Sequence, residues 1–406
     1  MIVGAGFGGL MAARGLARAP VDVLLIDRHN YHLFQLLLYQ VATAALSPAD
    51  IAEPIRAVLR RQPNATVLLD EVIGVDPAAQ IVKTRTGTRQ HYDWLILATG
   101  SKYHYFGHAD WPSRAPGLKS LDDATLIRRR ALLGFEEAEA ASDPVLRQRL
   151  LTFVLVGAGP TGVEMAGALA ELAHATLSRD FRNINPQTVR IVLVEAGSRV
   201  LAGLPEKLSA FAAHSLERIG VEVLLDTPII WCAGVEASPV ARWLDMPAAK
   251  GGRVQVAPDL SVPGHPEIFV IGDAALVTGP GGEPLPGLAP VAKQQGSYVG
   301  ELITRRARGD PVPPPFRYRD EGALATIGRH SAIANFGWVR LTGWVAWVIW
   351  GIVHIFFLIG FRNRASVFLN WVWAWVTYGR GARLITGELT TLAPGRGFDG
   401  KQEAPR

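Results

Sequence analysis

Three features of the chain predict an α/β fold with two Rossmann-like dinucleotide-binding domains and C-terminal amphipathic, membrane-associating helices. The pattern Gly-x-Gly-x-x-Gly occurs at 4–9 and again at 157–162, each time between an apolar strand and a helix-compatible run. The third feature is a tryptophan-rich stretch close to the C-terminus. At 406 residues the chain exceeds what one hydrophobic core usually serves, so several domains are expected.

The first glycine motif lies in a complete strand–helix–strand unit. Its glycines are Gly4, Gly6 and Gly9, its flanking segments are 1–3, 10–19 and 21–26, and the second strand leads into Asp27. Gly4 permits a tight turn, Gly6 lets the backbone approach a pyrophosphate, and Gly9 lets the helix pack closely on the strand. Free N–H groups at the helix start favour the anion, and Asp27 can accept hydrogen bonds from a ribose. The segment therefore predicts a dinucleotide site.

The second glycine motif repeats this order. It consists of Gly157, Gly159 and Gly162, with a strand over 152–156, a helix over 163–177 and a strand over 189–194 that leads into Glu195. The Glu195 carboxylate favours the free 2′-hydroxyl of NADH and would repel a 2′-phosphate, although Arg199 lies nearby. Glu164, in the first turn of the predicted helix, is either an acid that matches the helix dipole or a contact to the nicotinamide side of the cofactor.

A third signature is the strand Ile268–Asp273, which reads IFVIGD. A strand that ends in Gly-Asp places a carboxylate at the mouth of the sheet, and in flavoproteins with two dinucleotide sites this Asp binds the ribityl chain of FAD. Two glycine motifs mean two dinucleotides. FAD with NAD is the economical pair, because hydride transfer needs a donor and an acceptor face to face.

The chain is shorter in the region that follows the second glycine motif than in the corresponding region that follows the first. From Leu69 to Gly100 is a step of 31 positions, enough for a three-strand meander, whereas Leu225 to Gly234 is a step of only 9. The difference, 22 residues, suggests that the meander is missing near 226–228. Parallel neighbours need a crossover of about a dozen residues or more, so this region is either one continuous strand or a rearranged nicotinamide domain.

The amino-acid composition excludes several classes of redox centre, metal site and partner. Cys232 is the only cysteine, which excludes an internal disulfide, a cysteine-rich metal site and the flavin reductases that relay electrons through a protein disulfide. We expect Cys232 to be a buried structural thiol, and no metal site is predicted. A net charge of +5 without a concentrated basic patch argues against nucleic acid as a partner. The chain opens on an apolar strand without a basic leader, so we expect its catalytic body to stay in the cytoplasm.

The C-terminal region favours contact with a membrane. Residues 343–361 contain no Asp, Glu, Lys or Arg, Arg362 and Arg364 follow, and 371–385 is again rich in tryptophan. Because tryptophan prefers the headgroup level and basic residues favour anionic lipid, we expect two helices lying in one leaflet. A spanning helix and a buried oligomer interface are the alternatives.

A reductase that is bound to a membrane needs an electron acceptor that is dissolved in the lipid, and a quinone meets this requirement. The two glutamines in the helix that opens at Ala289 are either contacts to that acceptor or ordinary polar residues.

Five segments together resemble the bacterial branch of type II NADH:quinone oxidoreductase, the single-subunit NADH dehydrogenase that does not pump protons. They are VGAGFGGL, RHNYHLFQLLLYQVATAALSPADIA, LVGAGPTGVEMAGALAEL, VPGHPEIFVIGDAA and HIFFLIGFRNR. The resemblance covers nearly the whole chain. It implies a two-Rossmann fold, FAD held non-covalently, a homodimer and peripheral attachment through the C-terminal helices, which we expect at the cytoplasmic face of the cell inner membrane.

The resemblance also assigns site residues. FAD is expected to be held by Gly6, Asp27, Ala98, Gly100 and Asp273, and NADH by Gly159, Glu164, Glu195 and Gly234. The predicted cofactor-binding set is completed by Gly4, Phe7, Gly9, Arg28, Val72, Gly157, Gly162 and Ala292. The family's quinone-side motif, AQxAxQ, falls on 289–294, where Pro290 replaces the first Gln and Gln294 keeps its role. Glu164 is expected to orient the nicotinamide, and Gln294 the quinone or the flavin edge.

We therefore expect a FAD-dependent oxidoreductase that takes a hydride from NADH onto FAD and passes two electrons to a membrane quinone without proton pumping. One alternative is a membrane-tethered flavoprotein with impaired or lost NADH turnover, which the shortened second half favours; the other is a reductase of the same fold with a soluble acceptor. The predicted domains are FAD-binding over 1–115 and 265–318, NADH-binding over 116–264, membrane association over 319–390 and a polar tail over 391–406.

Overall fold

The chain forms two compact units in a computed structural model that describes residues 1–105, 111, 115–227, 234–279 and 281–386. The first unit comprises 1–33, 52–106 and 232–321, and the second unit comprises 34–51, 107–231 and 322–406. The expected buried thiol of Cys232 and the predicted polar tail lie outside the described residues.

Two segments belong to units that the predicted domain ranges do not anticipate. Residues 34–51 are part of the second unit, because helix Leu38–Ala42 packs against helices Leu121–Ala140 and Pro160–Glu171. The segment that follows Gly234 is part of the first unit, because its first strand pairs there.

A six-stranded sheet forms the core of the first unit. In spatial order its strands are Ser261–Val262, His265–Val270, Leu95–Leu97, Ile2–Val3, Val23–Asp27 and Ala65–Leu69. All neighbours are parallel except the first pair, and the central strands are continuously apolar and buried, as strands of a covered parallel sheet are. The longer helices of this unit, Phe7–Gly15 and Ala289–Arg308, pack closely against each other through glycines, and the shorter ones are Ile55–Leu59 and Val240–Trp243.

Smaller strands complete the first unit within the described residues. The predicted three-strand meander is present as the antiparallel strands Val72–Asp76, Ile81–Thr84 and Arg89–His91. Three strand pairs are Tyr31–Leu33 with Ala52–Pro54, Ser101–His104 with Gly234–Ala237, and Val254–Gln255 with Ala275–Leu276.

A parallel sheet of three strands carries the second glycine motif in the second unit. Its strands are Thr152–Val156, Arg190–Val194 and Val221–Leu224, in that spatial order. An antiparallel sheet consists of Ala323–Thr326, Ala332–Asn335 and Arg340–Thr342, and its first strand packs on helix Pro160–Glu171. The other helices are Leu38–Ala42, Pro48–Ile51, Leu121–Ala140, Pro144–Leu150, Glu206–Arg218, Gly343–Phe357 and Phe361–Thr377.

The second unit shows no meander behind strand Val221–Leu224 as far as it is described. Asp226 has φ 48°, a left-handed conformation that interrupts an extended run, so this strand does not continue toward Gly234. Of the two predicted alternatives, the strand end favours the rearranged domain. Residues 228–233 lie outside the description, and the shortening itself stays a prediction.

Candidate functional site

In the first glycine loop, each of the three positions requires glycine for a separate physical reason. Gly4 has φ 97°, and a Cβ there would collide with the carbonyl oxygen of Ala98. A Cβ on Gly9 would collide with the carbonyl oxygen of Gly4, so helix Phe7–Gly15 lies this close only because the position has no side chain. A Cβ on Gly6 meets no atom within 4 Å. Gly6 therefore borders open space, as a residue over which a pyrophosphate passes must.

The second glycine loop has the same geometry. Gly157 has φ 95°, a Cβ on Gly162 would collide with the carbonyl oxygen of Gly157, and a Cβ on Gly159 meets no atom within 4 Å. Gly6 and Gly159 are also the N-cap residues that directly precede the two motif helices. Because glycine has no side chain that could cap a helix, N–H groups of the first turn stay available to an anion, and the helix dipole favours one. Both loops thus fit the pyrophosphate of a dinucleotide.

Asp27 ties the first loop to the following strand. Its carboxylate accepts hydrogen bonds from the backbone N–H of Ala5 at 2.6 Å and of His29 at 2.7 Å. The buried His32, which no motif singles out, holds the next peptide group: its Nδ1 donates to the carbonyl oxygen of Ala5 at 2.8 Å. The His32 ring also lies edge-on to the ring of Phe7, with centroids 5.4 Å apart. The loop is therefore held on both sides of Ala5.

Glu195 ties the second loop in the same way. Its carboxylate accepts hydrogen bonds from the backbone N–H of Ala158 at 2.6 Å and of Gly197 at 2.9 Å. Arg199, the basic residue that follows in the sequence, donates through Nη2 to the carbonyl oxygen of Ala202 at 2.8 Å. The acid at this strand end is thus anchored by backbone N–H groups.

The IFVIGD strand delivers Asp273 to a turn that two other segments hold. Gly272 has φ 70°, and Ser101 Oγ donates to Asp273 Oδ2 at 2.5 Å. Gln295, which is 1% exposed, accepts a hydrogen bond from the backbone N–H of Gly272 at 2.6 Å through Oε1. Gln295 is therefore a structural residue of the Asp273 turn, whereas the sequence left it, together with Gln294, as either a contact to the acceptor or an ordinary polar residue.

The Gln294 amide is engaged with the segment 319–321. Its Nε2 donates to the carbonyl oxygen of Arg319 at 2.9 Å and to Glu321 Oε1 at 3.2 Å, and its Oε1 accepts from the backbone N–H of Arg319 at 2.9 Å. The side chain holds that segment here, and its contact with a quinone or the flavin edge stays a prediction.

Glu164 lies buried in the second turn of its helix, not in the first turn as the sequence suggested. The helix begins at Pro160, three residues before the predicted start, because proline fits the first helical position. Glu164 is 9% exposed, and its Oε1 accepts a long hydrogen bond, 3.4 Å, from the backbone N–H of Thr326. Burial raises the pKa of Glu164 to about 8, so the carboxyl is mostly neutral at pH 7. A neutral, buried carboxyl group interacts only weakly with a helix dipole. The structure therefore disfavours the interpretation of Glu164 as an acid that matches the helix dipole.

The remaining predicted residues lie in the first unit. Ala98 donates its backbone N–H to the carbonyl oxygen of Val3 at 2.8 Å, and Gly100, with φ 66°, accepts from the N–H of Ser238 at 3.1 Å. Gly234, expected on the NADH side, begins the strand that pairs with Ser101–His104. Three others are Val72, buried in the meander, Arg28, exposed beside Asp27, and Ala292, early in helix Ala289–Arg308.

The C-terminal helices expose an aromatic face. Trp344, Phe361 and Trp373 are 68%, 86% and 65% exposed, whereas Trp350 is 2% exposed and stacks on His354. Other exposed apolar residues of this face are Ile352, Phe356, Phe368, Leu369, Trp375 and Val376. No helix in the described ranges has both the length and the apolar sequence that crossing a bilayer requires. Large exposed apolar patches mark interaction surfaces in soluble proteins.

Two family models match the chain. Residues 1–229 match pyridine nucleotide-disulphide oxidoreductases, and residues 321–380 match the NDH2 C-terminal domain.

Curated proteins and solved structures agree with these matches. The chain is 42% identical over 422 residues to the type II NADH:quinone oxidoreductase Ndh of Mycobacterium tuberculosis, covering 96% of this chain and 90% of that protein. It is 27% identical to the mitochondrial internal alternative NAD(P)H-ubiquinone oxidoreductase A1 of Arabidopsis thaliana, covering 94% and 84%. The structure of NDH2 from Plasmodium falciparum in complex with NADH superposes with a TM-score of 0.84 at 20% identity, covering 93% of this chain and 98% of that one.

Gly6→Ala separates the binding role of the first loop from its folding role. We expect this variant to fold like the wild type, because the new Cβ meets no atom within 4 Å. It should lose FAD affinity about fivefold to a hundredfold, because steric overlap with the pyrophosphate costs about 1–3 kcal/mol. FAD affinity is measured by flavin fluorescence and stability by thermal unfolding. Gly74→Ala, at another open position, is the control, and full FAD affinity in Gly6→Ala would contradict the assignment.

Glu164→Gln should change the pH dependence of stability. Because the folded-state pKa of Glu164 is raised from 4.5 to about 8, the unfolded chain releases a proton in this range while the folded chain keeps it. Relative to Glu164→Gln, the free energy of unfolding of the wild type should therefore fall by about 1.4 kcal/mol for each pH unit between pH 4.5 and pH 8. Above pH 8 the difference between the two proteins should stay constant.

Denaturant titrations of both proteins across this pH range measure the difference. Glu283→Gln, a change at an exposed carboxylate, should run parallel to the wild type at every pH. Parallel curves for Glu164→Gln as well would show that the folded carboxyl is ionised, against the assignment of a neutral acid.

Proposed function

The chain belongs to the type II NADH:quinone oxidoreductase family, and on that premise we propose that it oxidises NADH through FAD and reduces a quinone. One observation carries the proposal: two glycine loops of the same geometry, each tied to an acid at the end of the next strand, occur in one chain. Two such loops call for two dinucleotides, and hydride transfer between dinucleotides needs a donor and an acceptor in one protein.

The first unit supplies the groups that FAD needs. Gly6 leaves room for the pyrophosphate, and Asp27 offers carboxylate oxygens to ribose hydroxyls. Asp273, held by Ser101, would bind the ribityl hydroxyls. When bound, FAD supplies the two-electron carrier between NADH and the quinone.

The second unit supplies the groups that favour NADH over NADPH. Glu195 can accept hydrogen bonds from the 2′-hydroxyl and would repel a 2′-phosphate. Arg199 is held by a hydrogen bond from its Nη2 to the carbonyl oxygen of Ala202. Glu164 is mostly protonated at neutral pH, so its carboxyl can donate one hydrogen bond and accept another. This suits the carboxamide of the nicotinamide, which Glu164 would orient.

The exposed residues of the C-terminal helices favour an electron acceptor that is dissolved in a membrane. We infer peripheral attachment at the cytoplasmic face of the inner membrane, with helices Gly343–Phe357 and Phe361–Thr377 in the plane of the interface. Exposed aromatic residues such as Trp344 and Phe361 would enter the headgroup region, and Arg362 and neighbouring arginines would favour anionic lipid. A homodimer, as the resemblance implies, is part of this proposal.

A second candidate function is a membrane-tethered flavoprotein with impaired NADH turnover. The alignment with the M. tuberculosis protein runs over 422 positions, whereas 96% of this chain's 406 residues is about 390. About 30 alignment positions are therefore gaps in this chain. Such a deficit agrees with the shortened region behind strand Val221–Leu224.

Anaerobic reduction separates the two functions. The full chain with bound FAD is mixed with NADH while the flavin absorbance is followed, and a short-chain quinone is then added. We expect bleaching by NADH and recovery on addition of the quinone. A flavin that NADH does not bleach would favour the impaired flavoprotein, and bleaching without recovery would point to a different acceptor.

Membrane attachment predicts that Phe361→Asp weakens binding to vesicles that contain anionic lipid. Removing one exposed aromatic side chain from the interface costs about 1.5–3 kcal/mol, or about tenfold or more in affinity. Cosedimentation measures this binding. Val145→Asp, at a residue that is 66% exposed on helix Pro144–Leu150, should bind like the wild type. Equal binding by Phe361→Asp would remove this face from the membrane contact.

A further inference from the structure

The turn over residues 225–227 lies beside Glu195 in the second unit. The backbone N–H of Thr227 donates to the carbonyl oxygen of Glu195 at 3.2 Å, and the backbone N–H of Asp226 donates to the carbonyl oxygen of Gly197 at 3.1 Å. Backbone hydrogen bonds thus hold the turn that follows the third strand of the parallel sheet against the end of the second strand. The turn therefore borders the strand end that presents the acid.

Gly197 links Asp226 to the carboxylate of Glu195. Its backbone N–H donates to Glu195 Oε1 at 2.9 Å, and its carbonyl oxygen accepts the hydrogen bond from Asp226. Because one residue makes both bonds, the backbone nitrogen of Asp226 lies within about 10 Å of the Glu195 carboxylate. This is about the Debye length at 0.1 M ionic strength, the range over which exposed charges still act on one another.

The backbone conformation of Asp226 explains a small polar residue or a glycine at this position, but it does not explain a charge. Its φ of 48° lies in the left-handed region, which glycine and asparagine also adopt readily. The side chain is exposed, and its carboxylate has no hydrogen-bond or ion-pair partner in the part of the chain that the structure describes. The turn as described therefore does not require the negative charge.

The charge of Asp226 changes the electrostatic balance beside Glu195. Residues 195–199 carry one acid, Glu195, and one base, Arg199, so their formal charges cancel. Asp226 adds a second carboxylate and makes the sum negative. A 2′-phosphate, which has a charge of about −1.5 to −2 at pH 7, is repelled by a negative group, whereas a neutral 2′-hydroxyl is not.

We propose that Asp226 is a second specificity-determining residue of the NADH site and that its charge disfavours NADPH. The inference rests on the proposed function, in which Glu195 accepts hydrogen bonds from the 2′-hydroxyl of NADH. Asp226 acts at longer range, because repulsion between charges needs no contact and works through solvent within a Debye length. The ends of two neighbouring strands of the parallel sheet thus share the choice between the two cofactors.

The test compares two ligands that need no turnover, ADP-ribose and its 2′-phosphate. Isothermal titration calorimetry with the full-length, FAD-bound chain gives the ratio of their affinities. Asp226→Asn removes the charge and suits the left-handed backbone, so the ratio should shift toward the phosphorylated ligand by about threefold to tenfold at low salt. At about 1 M salt, where the Debye length is about 3 Å, this shift should largely disappear.

Three further variants separate the charge from the shape of the turn. Asp245→Asn is the matched control, because Asp245 is also exposed and left-handed, with φ 52°, but belongs to the first unit, and it should bind both ligands like the wild type. Asp226→Gly keeps the turn and removes the side chain, so it should give the same shift as Asp226→Asn. Combined with Glu195→Gln, the shift caused by Asp226→Asn should persist, because the charge acts on the phosphate directly.

An unchanged affinity ratio in both Asp226→Asn and Asp226→Gly at low salt would overturn the inference and leave the proposed function intact. A shift that survives at high salt, or one that vanishes when combined with Glu195→Gln, would also overturn it, since Asp226 would then act through the structure of the turn. Wild-type flavin that NADH does not bleach counts against the proposed function, while the affinity ratios still decide the inference.

Discussion

A hydrogen bond from a loop N–H to an acid on the next strand holds each of the two glycine loops. Ala5 donates to Asp27 and Ala158 to Glu195, both at 2.6 Å. The bond fixes the loop before a ligand arrives, so little ordering cost remains when a dinucleotide binds. It also places the end of the second strand beside the loop, an arrangement that the parallel strand–helix–strand unit provides. The rest of each unit supports this local arrangement.

The two units differ in what surrounds that arrangement. In the first, the meander is complete, and Gln295 and Ser101 hold the turn that carries Asp273. In the second, the described parallel sheet has three strands, and contacts from the C-terminal region reach the buried Glu164. The proposed FAD site therefore has a complete set of supports, whereas the proposed nicotinamide side depends on segments far away in the sequence. This dependence ties the surroundings of Glu164 to the C-terminal segment of the second unit.

The glycine loops and their acids were predictable because they follow from local rules: backbone angles, close packing of a helix on a strand, and a strand end. The helix start at Pro160 was missed by three residues, although proline is common at the first helical position. Gln295 carried a usable signal, since its spacing of four residues from Val291 and Val299 places it on the buried face of its helix. The hydrogen bond from Trp371 to Gln40 carried no signal, because the two residues are 331 positions apart in the sequence.

Backbone amide hydrogen exchange tests most directly whether each loop takes its own dinucleotide. The FAD-bound chain is compared with and without ADP-ribose, which has the pyrophosphate and ribose of NADH but no nicotinamide. The account predicts added protection over 157–163 and around Glu195, no change over 4–9, and loss of protection over 4–9 once FAD is removed. Protection by ADP-ribose over 4–9 in place of 157–163, or at neither loop, would contradict it.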